Sequence, residues 1–215
     1  MLRVLILCCV LPILPARACD TALVLTIDVS NSIDAAEYRL QVDGLADALA
    51  DPEVAQALVE GHVALAVVQW SGTERQALSI PWTRMTSAAA VAEFAAEARI
   101  MPRAFIQSDT APAEAIRYAL TLFDAVPDCA RRVIDISGDG TANAGSPVPE
   151  ARRAAQRAGV TINAIAIEGM GLAITGFYSR QVITSDGFVV TARTYRDYPR
   201  AIRDKILREV ARIFG

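Results

Sequence analysis

The sequence predicts an α/β fold: a doubly wound, mostly parallel sheet with helices on both faces and one antiparallel edge strand. Three observations support this prediction. Short apolar runs alternate with amphipathic segments of helical periodicity, as in sheets built from strand–helix units. The apolar runs are continuous, which is typical of strands buried on both faces. No linker, repeat or low-complexity stretch divides the chain, so residues 19–215 are expected to form a single domain.

The strands are placed at the apolar runs, each bounded by polar or turn-forming residues. The third run is expected to be antiparallel to its neighbour and to end at Pro81. The six predicted strands are residues 22–27, 63–70, 76–80, 133–136, 161–167 and 188–191.

The helices are placed by their start signals, stop signals and apolar stripes. Asp34 and Glu37 have the spacing of a capping box, Pro112 suits the first position of a helix, and Gly159 is a stop signal. Five helices are predicted. The first begins after Asp34 and has apolar residues at Tyr38, Val42, Leu45 and Leu49, the second covers residues 88–98, the third begins at Pro112 and the fourth covers residues 150–158. The last closes the chain, with Ile202, Ile206, Val210 and Ile213 facing inward.

Residues 1–18 have the pattern of a secretory signal peptide. Arg3 precedes an apolar stretch at residues 4–14, and Ala16-Arg17-Ala18 forms a small-residue cleavage site. The alternative is a buried N-terminal strand or helix. The mature protein is therefore expected to be periplasmic or secreted. A lipid anchor at Cys19 is a second alternative, although Ala16 stands where the bacterial lipoprotein pattern has leucine.

Charge and hydropathy exclude two classes of partner. Removal of residues 1–18 takes away two arginines and changes the formal charge from −3 to −5. Nucleic-acid binding, which requires a basic face, is not expected. No later segment is long and apolar enough to cross a membrane.

Two of the four cysteines leave with the signal peptide, and Cys19 and Cys129 remain. Each precedes an apolar run, so both sulfur atoms lie at one end of the sheet if those runs are neighbouring parallel strands. A Cys19–Cys129 disulfide is then expected in an oxidising compartment. The alternative is two free buried thiols.

Polar residues gather where two predicted strands end. Asp28, Ser30 and Ser32 follow the first strand, Asp139 follows the fourth, and Thr110 lies in a loop before a helix. Ligands of such sheets bind beyond the carboxyl ends of the strands, so these five side chains are expected to converge. Two carboxylates and three hydroxyls form an all-oxygen set that suits Mg²⁺, with Mn²⁺ or Ca²⁺ as alternatives.

Simpler local roles remain open for the same residues. Asp28 could cap the following helix, Ser30 and Ser32 could form a turn, and Asp139 could belong to an ordinary turn. His62, the only histidine, is expected at the opposite end of the sheet, which disfavours Ser/His catalysis. The glycines of residues 137–146 match no nucleotide-binding motif.

The stretch DVSNS at residues 28–32, followed by Thr110 and by Asp139 in DISGDG, resembles the metal-ion-dependent adhesion site (MIDAS) of von Willebrand factor A (VWA) domains. The segments CDTALVLTIDVSNSID, CARRVIDISGDGTAN and AIRDKILREVARIFG are similar to a secreted bacterial family of unknown function, DUF1194. The resemblance covers nearly all of the mature chain.

The resemblance implies specific ligand roles. Ser30 and Ser32 would bind the metal directly, Thr110 directly or through water, and Asp28 and Asp139 mostly through water. A direct ligand shell of low charge favours an acidic residue from a protein partner. The chain departs from the family at Ser108-Asp109-Thr110, where Gly-Gly-Thr or Gly-Thr is usual, and Asp109 could replace or weaken the partner carboxylate.

These observations predict a secreted or periplasmic, non-enzymatic protein-binding module of the adhesion type, with a metal that a partner carboxylate completes. One alternative is a metal-assisted hydrolase on the same site, with Asp109 or Asp139 as the base. The other is a scaffold whose site is vestigial.

Overall fold

The computed structural model describes residues 19–169 and 173–210. Its strands form one six-stranded sheet of order β3-β2-β1-β4-β5-β6, and every neighbouring pair is parallel except β2–β3. This confirms the predicted fold class. The predicted signal peptide and Ile213 lie outside the described residues. The strands are β1 (Cys19–Asp28), β2 (Ala64–Trp70), β3 (Gln76–Arg84), β4 (Cys129–Gly138), β5 (Thr161–Ile167) and β6 (Val189–Ala192).

Helices cover both faces of the sheet. Within the described ranges, none of them is long and apolar enough to cross a membrane. The helices are α1 (Ala35–Ala50), α2 (Pro52–Glu60), α3 (Ala88–Ile100), α4 (Pro112–Leu122), α5 (Val148–Arg157), α6 (Ala173–Phe177, continued as a π-helical turn over Tyr178–Val182) and α7 (Tyr198–Val210).

Strand β1 contributes to two separate cores because successive side chains of a strand point to opposite faces. Leu23, Leu25 and Ile27 pack into the core beneath α1, α2, α3 and α7. Ala22 and Val24 pack into the core that includes residues of α4, α5 and α6. The continuous apolar run in the sequence therefore corresponds to burial on both faces.

The helix boundaries follow local chemistry. Helix α1 begins with the predicted capping box, in which Asp34 accepts from the Glu37 N–H and the Glu37 carboxylate accepts from the Asp34 N–H. Helix α5 ends at Arg157, close to the predicted stop, and Gly159 adopts a positive φ of 65°. The sequence analysis did not identify α2. Its signal was the dipeptide Asp51-Pro52, since Asp51 caps the helix by accepting from the N–H groups of Glu53 and Val54.

The prediction that β3 ends at Pro81 is wrong, because the strand continues to Arg84. Strand β3 is an edge strand, and its pairing with β2 shifts register between Leu65 and Val67, opposite this part of the strand. A proline is tolerated at an edge or a bulge because its missing N–H breaks no required ladder hydrogen bond.

A disulfide joins Cys19 to Cys129, which confirms the predicted pairing. The two residues face each other in the parallel register of β1 and β4, and both are buried. The bond therefore ties the amino-terminal ends of the two central strands together across 110 residues of sequence.

Removal of this disulfide should lower stability without changing the fold. The chain-entropy relation gives a loss of about 3–5 kcal/mol for a loop of this length. We expect the Cys19→Ala/Cys129→Ala variant to show a lower urea midpoint with an unchanged far-UV circular dichroism spectrum. An unchanged midpoint would show that the bond does not constrain the unfolded chain.

Helix α7 carries a buried lysine between two buried carboxylates. The Lys205 Nζ lies 2.7 Å from Asp135 Oδ1 and also contacts Glu209 Oε1, which accepts from Asn163 Nδ2 at 2.8 Å. The three ionisable side chains are at most 2% exposed. Burial, together with the nearby Asp135 carboxylate, raises the pKa of Glu209 to about 7, although Lys205 opposes the change. The single lysine thus faces two buried carboxylates, and this arrangement favours a proton bound to one of the carboxylates.

The raised pKa of Glu209 should make stability fall as the pH rises. Between pH 4.5 and 7 the folded state binds more protons than the unfolded state, so each step up in pH favours unfolding. Glu209→Gln removes the proton and keeps an oxygen acceptor for Lys205. We expect the decrease in Tm between pH 5 and pH 8 to be smaller in this variant by roughly 4–8 °C. Equal decreases in both proteins would contradict the assignment.

Candidate metal-binding site

The candidate site lies where the two central strands end. Asp28 is the last residue of β1, and Asp139 directly follows β4. The two strands are adjacent and parallel, so their carboxyl ends share one edge of the sheet. From β1 the chain adds β2 and β3 on one side of the sheet, and then β4, β5 and β6 on the other side. This is the switch point at which ligands of open α/β sheets bind.

The loop after β1 carries its polar side chains as a connected chain. The Ser30 N–H donates to Asp28 Oδ1 at 2.7 Å. The hydroxyls of Ser30 and Ser32 lie 3.2 Å apart, and the Ser32 hydroxyl donates to Asp139 Oδ1 at 2.6 Å. Asp28 and Ser30 are buried, whereas Ser32 is exposed. The side chains that follow β1 therefore connect the two carboxylates.

Thr110 joins this group from the loop before α4. Its N–H donates to Asn143 Oδ1 at 2.8 Å, and its carbonyl accepts from the Asn143 N–H at 3.1 Å. A Cβ placed on Gly140 would lie 3.7 Å from the Thr110 hydroxyl, so Thr110 faces the residue after Asp139. The structure thus brings all five predicted residues together at one edge of the sheet.

Arg103 holds the loop after β1 in place, and the sequence analysis missed it. One nitrogen of its guanidinium, Nη2, donates to the carbonyls of Val29 and Ser30, at 2.9 Å in each case. A second contact fixes the same loop, because the Asn31 N–H donates to the Ser108 carbonyl. The arginine stands more than 70 residues from its acceptors, and no local pattern in the sequence links them.

The loop that departs from the family pattern is fixed by its backbone. The Ser71 hydroxyl donates to the Asp109 carbonyl, and the Gly72 N–H donates to the Ser108 hydroxyl. A Cβ on Gly72 would lie 2.6 Å from that hydroxyl, so a larger residue at this position would displace the Ser108 side chain. Gln107 has a positive φ of 51°, a conformation that costs energy in a residue other than glycine. The Asp109 side chain is exposed.

An open cleft of about 800 Å³ adjoins the group. Its lining is polar and includes Ser32, Thr110, Asp109, Arg75 and Asn143. A ligand or partner side chain can therefore approach the hydroxyls of Ser32 and Thr110 from solvent through this cleft.

Burial dominates the electrostatics of Asp28. The side chain is fully buried, and burial raises its pKa to about 7 despite the hydrogen bonds with Ser30. Its Oδ2 has no hydrogen-bond partner among the described residues. An uncompensated carboxylate oxygen in such a place is costly, unless a cation or a bound water molecule satisfies it.

Two tyrosine hydroxyls lie behind the carboxylates. Burial, together with the charges of Asp28 and Asp139, raises the pKa of both Tyr178 and Tyr195, so both remain protonated donors at neutral pH. Neither tyrosine was predicted to belong to the site. Tyr195 and Asp139 line one cavity of about 600 Å³.

The donor chemistry fits a hard cation. The described residues contain no group of three or more His, Cys, Asp or Glu side chains able to hold a metal, and this site instead combines two carboxylates with three hydroxyls. Oxygen donors of this kind suit Mg²⁺, Mn²⁺ or Ca²⁺ better than zinc. His62 precedes β2, at the amino end of that strand, so it takes no part in the site.

Comparison with protein families gives one match that covers most of the chain. The family described as "Protein of unknown function (DUF1194)" matches residues 18–214. No curated protein matches the sequence.

Solved structures share the fold at low sequence identity. Proximal thread matrix protein 1 from the mussel byssus, with a zinc-occupied MIDAS motif, superposes with a TM-score of 0.65 at 18% identity over 90% of this chain. The VWA domain of the type V pili tip protein Mfa5 from Porphyromonas gingivalis gives 0.62 at 11% identity, over 90% of this chain and 97% of that one. A VWA protein from Catenulispora acidiphila gives 0.60 at 19% over 90% of this chain.

These likenesses identify the VWA fold. The chain spans less than half the length of the mussel and Catenulispora proteins, 46% and 42% respectively.

Proposed function

The chain belongs to the DUF1194 family and has the VWA fold, and we propose that it is a metal-dependent protein-binding module of the adhesion type. In this proposal Ser30 and Ser32 bind Mg²⁺ directly through their hydroxyls. Thr110 binds it directly or through water, and Asp28 and Asp139 act mostly through water. An acidic side chain of a protein partner completes the coordination. The observation that carries the proposal is the connected group Asp28–Ser30–Ser32–Asp139 with its unpartnered Asp28 oxygen.

The neutral hydroxyls explain why a partner carboxylate is expected. A divalent ion held directly by hydroxyl groups keeps its net positive charge and supplies an electrophilic position that attracts an anionic oxygen. The exposure of Ser32 and the adjoining 800 Å³ cleft support entry from outside the domain. The zinc-occupied MIDAS of the mussel protein supports metal use on this fold, and we propose Mg²⁺ here, with Mn²⁺ or Ca²⁺ as alternatives.

Binding is favoured over hydrolysis because the described residues of the site offer no well-placed general base. A base must reach the nucleophile and be poised to take its proton. Asp139 already accepts from the Ser32 hydroxyl at 2.6 Å, and Asp109 is exposed to solvent. We therefore propose that the protein is not an enzyme.

An extracytoplasmic location is part of the proposal. The disulfide between Cys19 and Cys129 supports an oxidising compartment, and pilus proteins are among the structures that share the fold. We propose a periplasmic or secreted protein that is made with a signal peptide over residues 1–18.

Replacement of Asp28 by asparagine should separate metal binding from folding. The amide is isosteric but uncharged, so it relieves the cost of the buried carboxylate and weakens the attraction for a cation. We expect the affinity for Mg²⁺, measured by calorimetric titration, to fall roughly 10–100-fold, while the Tm of the metal-free protein is unchanged or raised. Asp34→Asn, which alters an acidic helix cap in the same loop, is the matched control and should retain the affinity.

The binding role is tested by capture from a native periplasmic extract, with and without chelator. A partner retained by the wild-type protein should be lost on chelation and should not be retained by the Asp28→Asn variant. Retention that survives both treatments would contradict the metal bridge. A wild-type titration without heat or thermal shift would instead favour the scaffold with a vestigial site.

A further inference from the structure

Tyr178 lies behind the candidate site with a hydroxyl that the rest of the fold does not use. The side chain is fully buried, and its hydroxyl has no hydrogen-bond partner among the described residues. Such a group costs stability unless something satisfies it. Its ring is nevertheless well packed, in an edge-to-face contact with Phe177 at 5.5 Å between centroids. Packing accounts for the ring and leaves the hydroxyl unexplained.

The unpartnered oxygens of Tyr178 and Asp28 face the same small gap beside Gly138. A Cβ placed on Gly138 would lie 2.4 Å from the Tyr178 hydroxyl and 2.9 Å from Asp28 Oδ2. Both distances are shorter than real Cβ contacts, so a side chain at this position would displace at least one of the two oxygens. The last residue of β4 thus leaves room for these two oxygens to approach each other.

The two oxygens are chemically complementary. An ionised carboxylate accepts hydrogen bonds and cannot donate, whereas a phenol can donate. Asp28 Oδ1 already accepts from the Ser30 N–H, so Oδ2 is the oxygen that needs a donor. The geometry of the gap permits a direct hydrogen bond after a small movement, or a bridge through one water molecule.

We propose that Tyr178 is a positioning residue of the metal site. Its O–H donates to Asp28 Oδ2, directly or through one water molecule, and this contact keeps the carboxylate oriented towards Ser30. Hydrogen bonds from residues outside the direct ligand shell commonly fix ligand orientation in this way. The inference rests on the proposed function, because it concerns the same site.

The test is the Tyr178→Phe variant, which removes one oxygen and keeps the ring. We expect the affinity for Mg²⁺ in calorimetric titration to fall roughly 10–100-fold. The Tm of the metal-free protein should change little, because the ring and its packing are kept. A purely structural role would give the opposite pair of results: a lower metal-free Tm with unchanged affinity.

The matched control is Tyr198→Phe. Tyr198 is another buried phenol, but it belongs to the core beneath α1 and α7, on the other face of the sheet. This variant should bind Mg²⁺ as the wild type does. An equal loss of affinity in both variants would show a general effect of removing buried hydroxyls and would overturn the proposal.

The outcomes distinguish this inference from the proposed function. If the wild-type protein does not bind Mg²⁺, both fail. If the wild type binds Mg²⁺, Asp28→Asn binds it more weakly and Tyr178→Phe binds it with wild-type affinity, the proposed function stands and the role of Tyr178 is rejected.

Discussion

The parallel pairing of β1 with β4 is the constraint on which the rest of the structure depends. The pairing runs from Cys19 opposite Cys129 to Ile27 opposite Ser137, so one register sets both ends of the two strands. At the amino ends it allows the disulfide. At the carboxyl ends it brings the loop after Asp28 against Asp139, where the Ser32 hydroxyl connects them. A shift of one residue would turn every side chain of β1 to the opposite face and would destroy both features.

Burial of polar groups along these central strands has two different consequences. Asp135 in β4 faces Lys205 and Glu209, and this group balances most of its charge internally. Among the described residues Asp28 is fully buried without a hydrogen-bond partner for its Oδ2, and the charge of Arg103 only partly offsets the effect of burial on its pKa. A buried carboxylate that the fold leaves uncompensated is expected at a functional position rather than a structural one. This difference supports a role for Asp28 in binding a cation.

Much of the fold and the five candidate ligands could be predicted because their signals are local. Continuous apolar runs predicted the strands, Asp34 and Glu37 predicted the start of α1, and the residues after β1 and β4 predicted the site. The positions that escaped prediction depend on contacts across the fold. Arg103 and Tyr178 reach the site from parts of the chain that are distant in sequence. Lys205 and Glu209 have the i,i+4 spacing of an ordinary surface ion pair, and they are buried only because α7 packs against strands β4 and β5. Pro81 was misinterpreted because the edge position of β3 is a property of the assembled sheet.

The central claim is that the loop after β1, the residue after β4 and the loop before α4 together hold a divalent cation. Anomalous diffraction from crystals of the protein grown with Mn²⁺ tests this claim most directly. We expect one strong anomalous peak within coordination distance of the hydroxyls of Ser30 and Ser32 and close to Thr110, and a weaker peak from crystals of the Asp28→Asn variant grown at the same Mn²⁺ concentration. A strong peak elsewhere, or an empty site at saturating Mn²⁺, would contradict it.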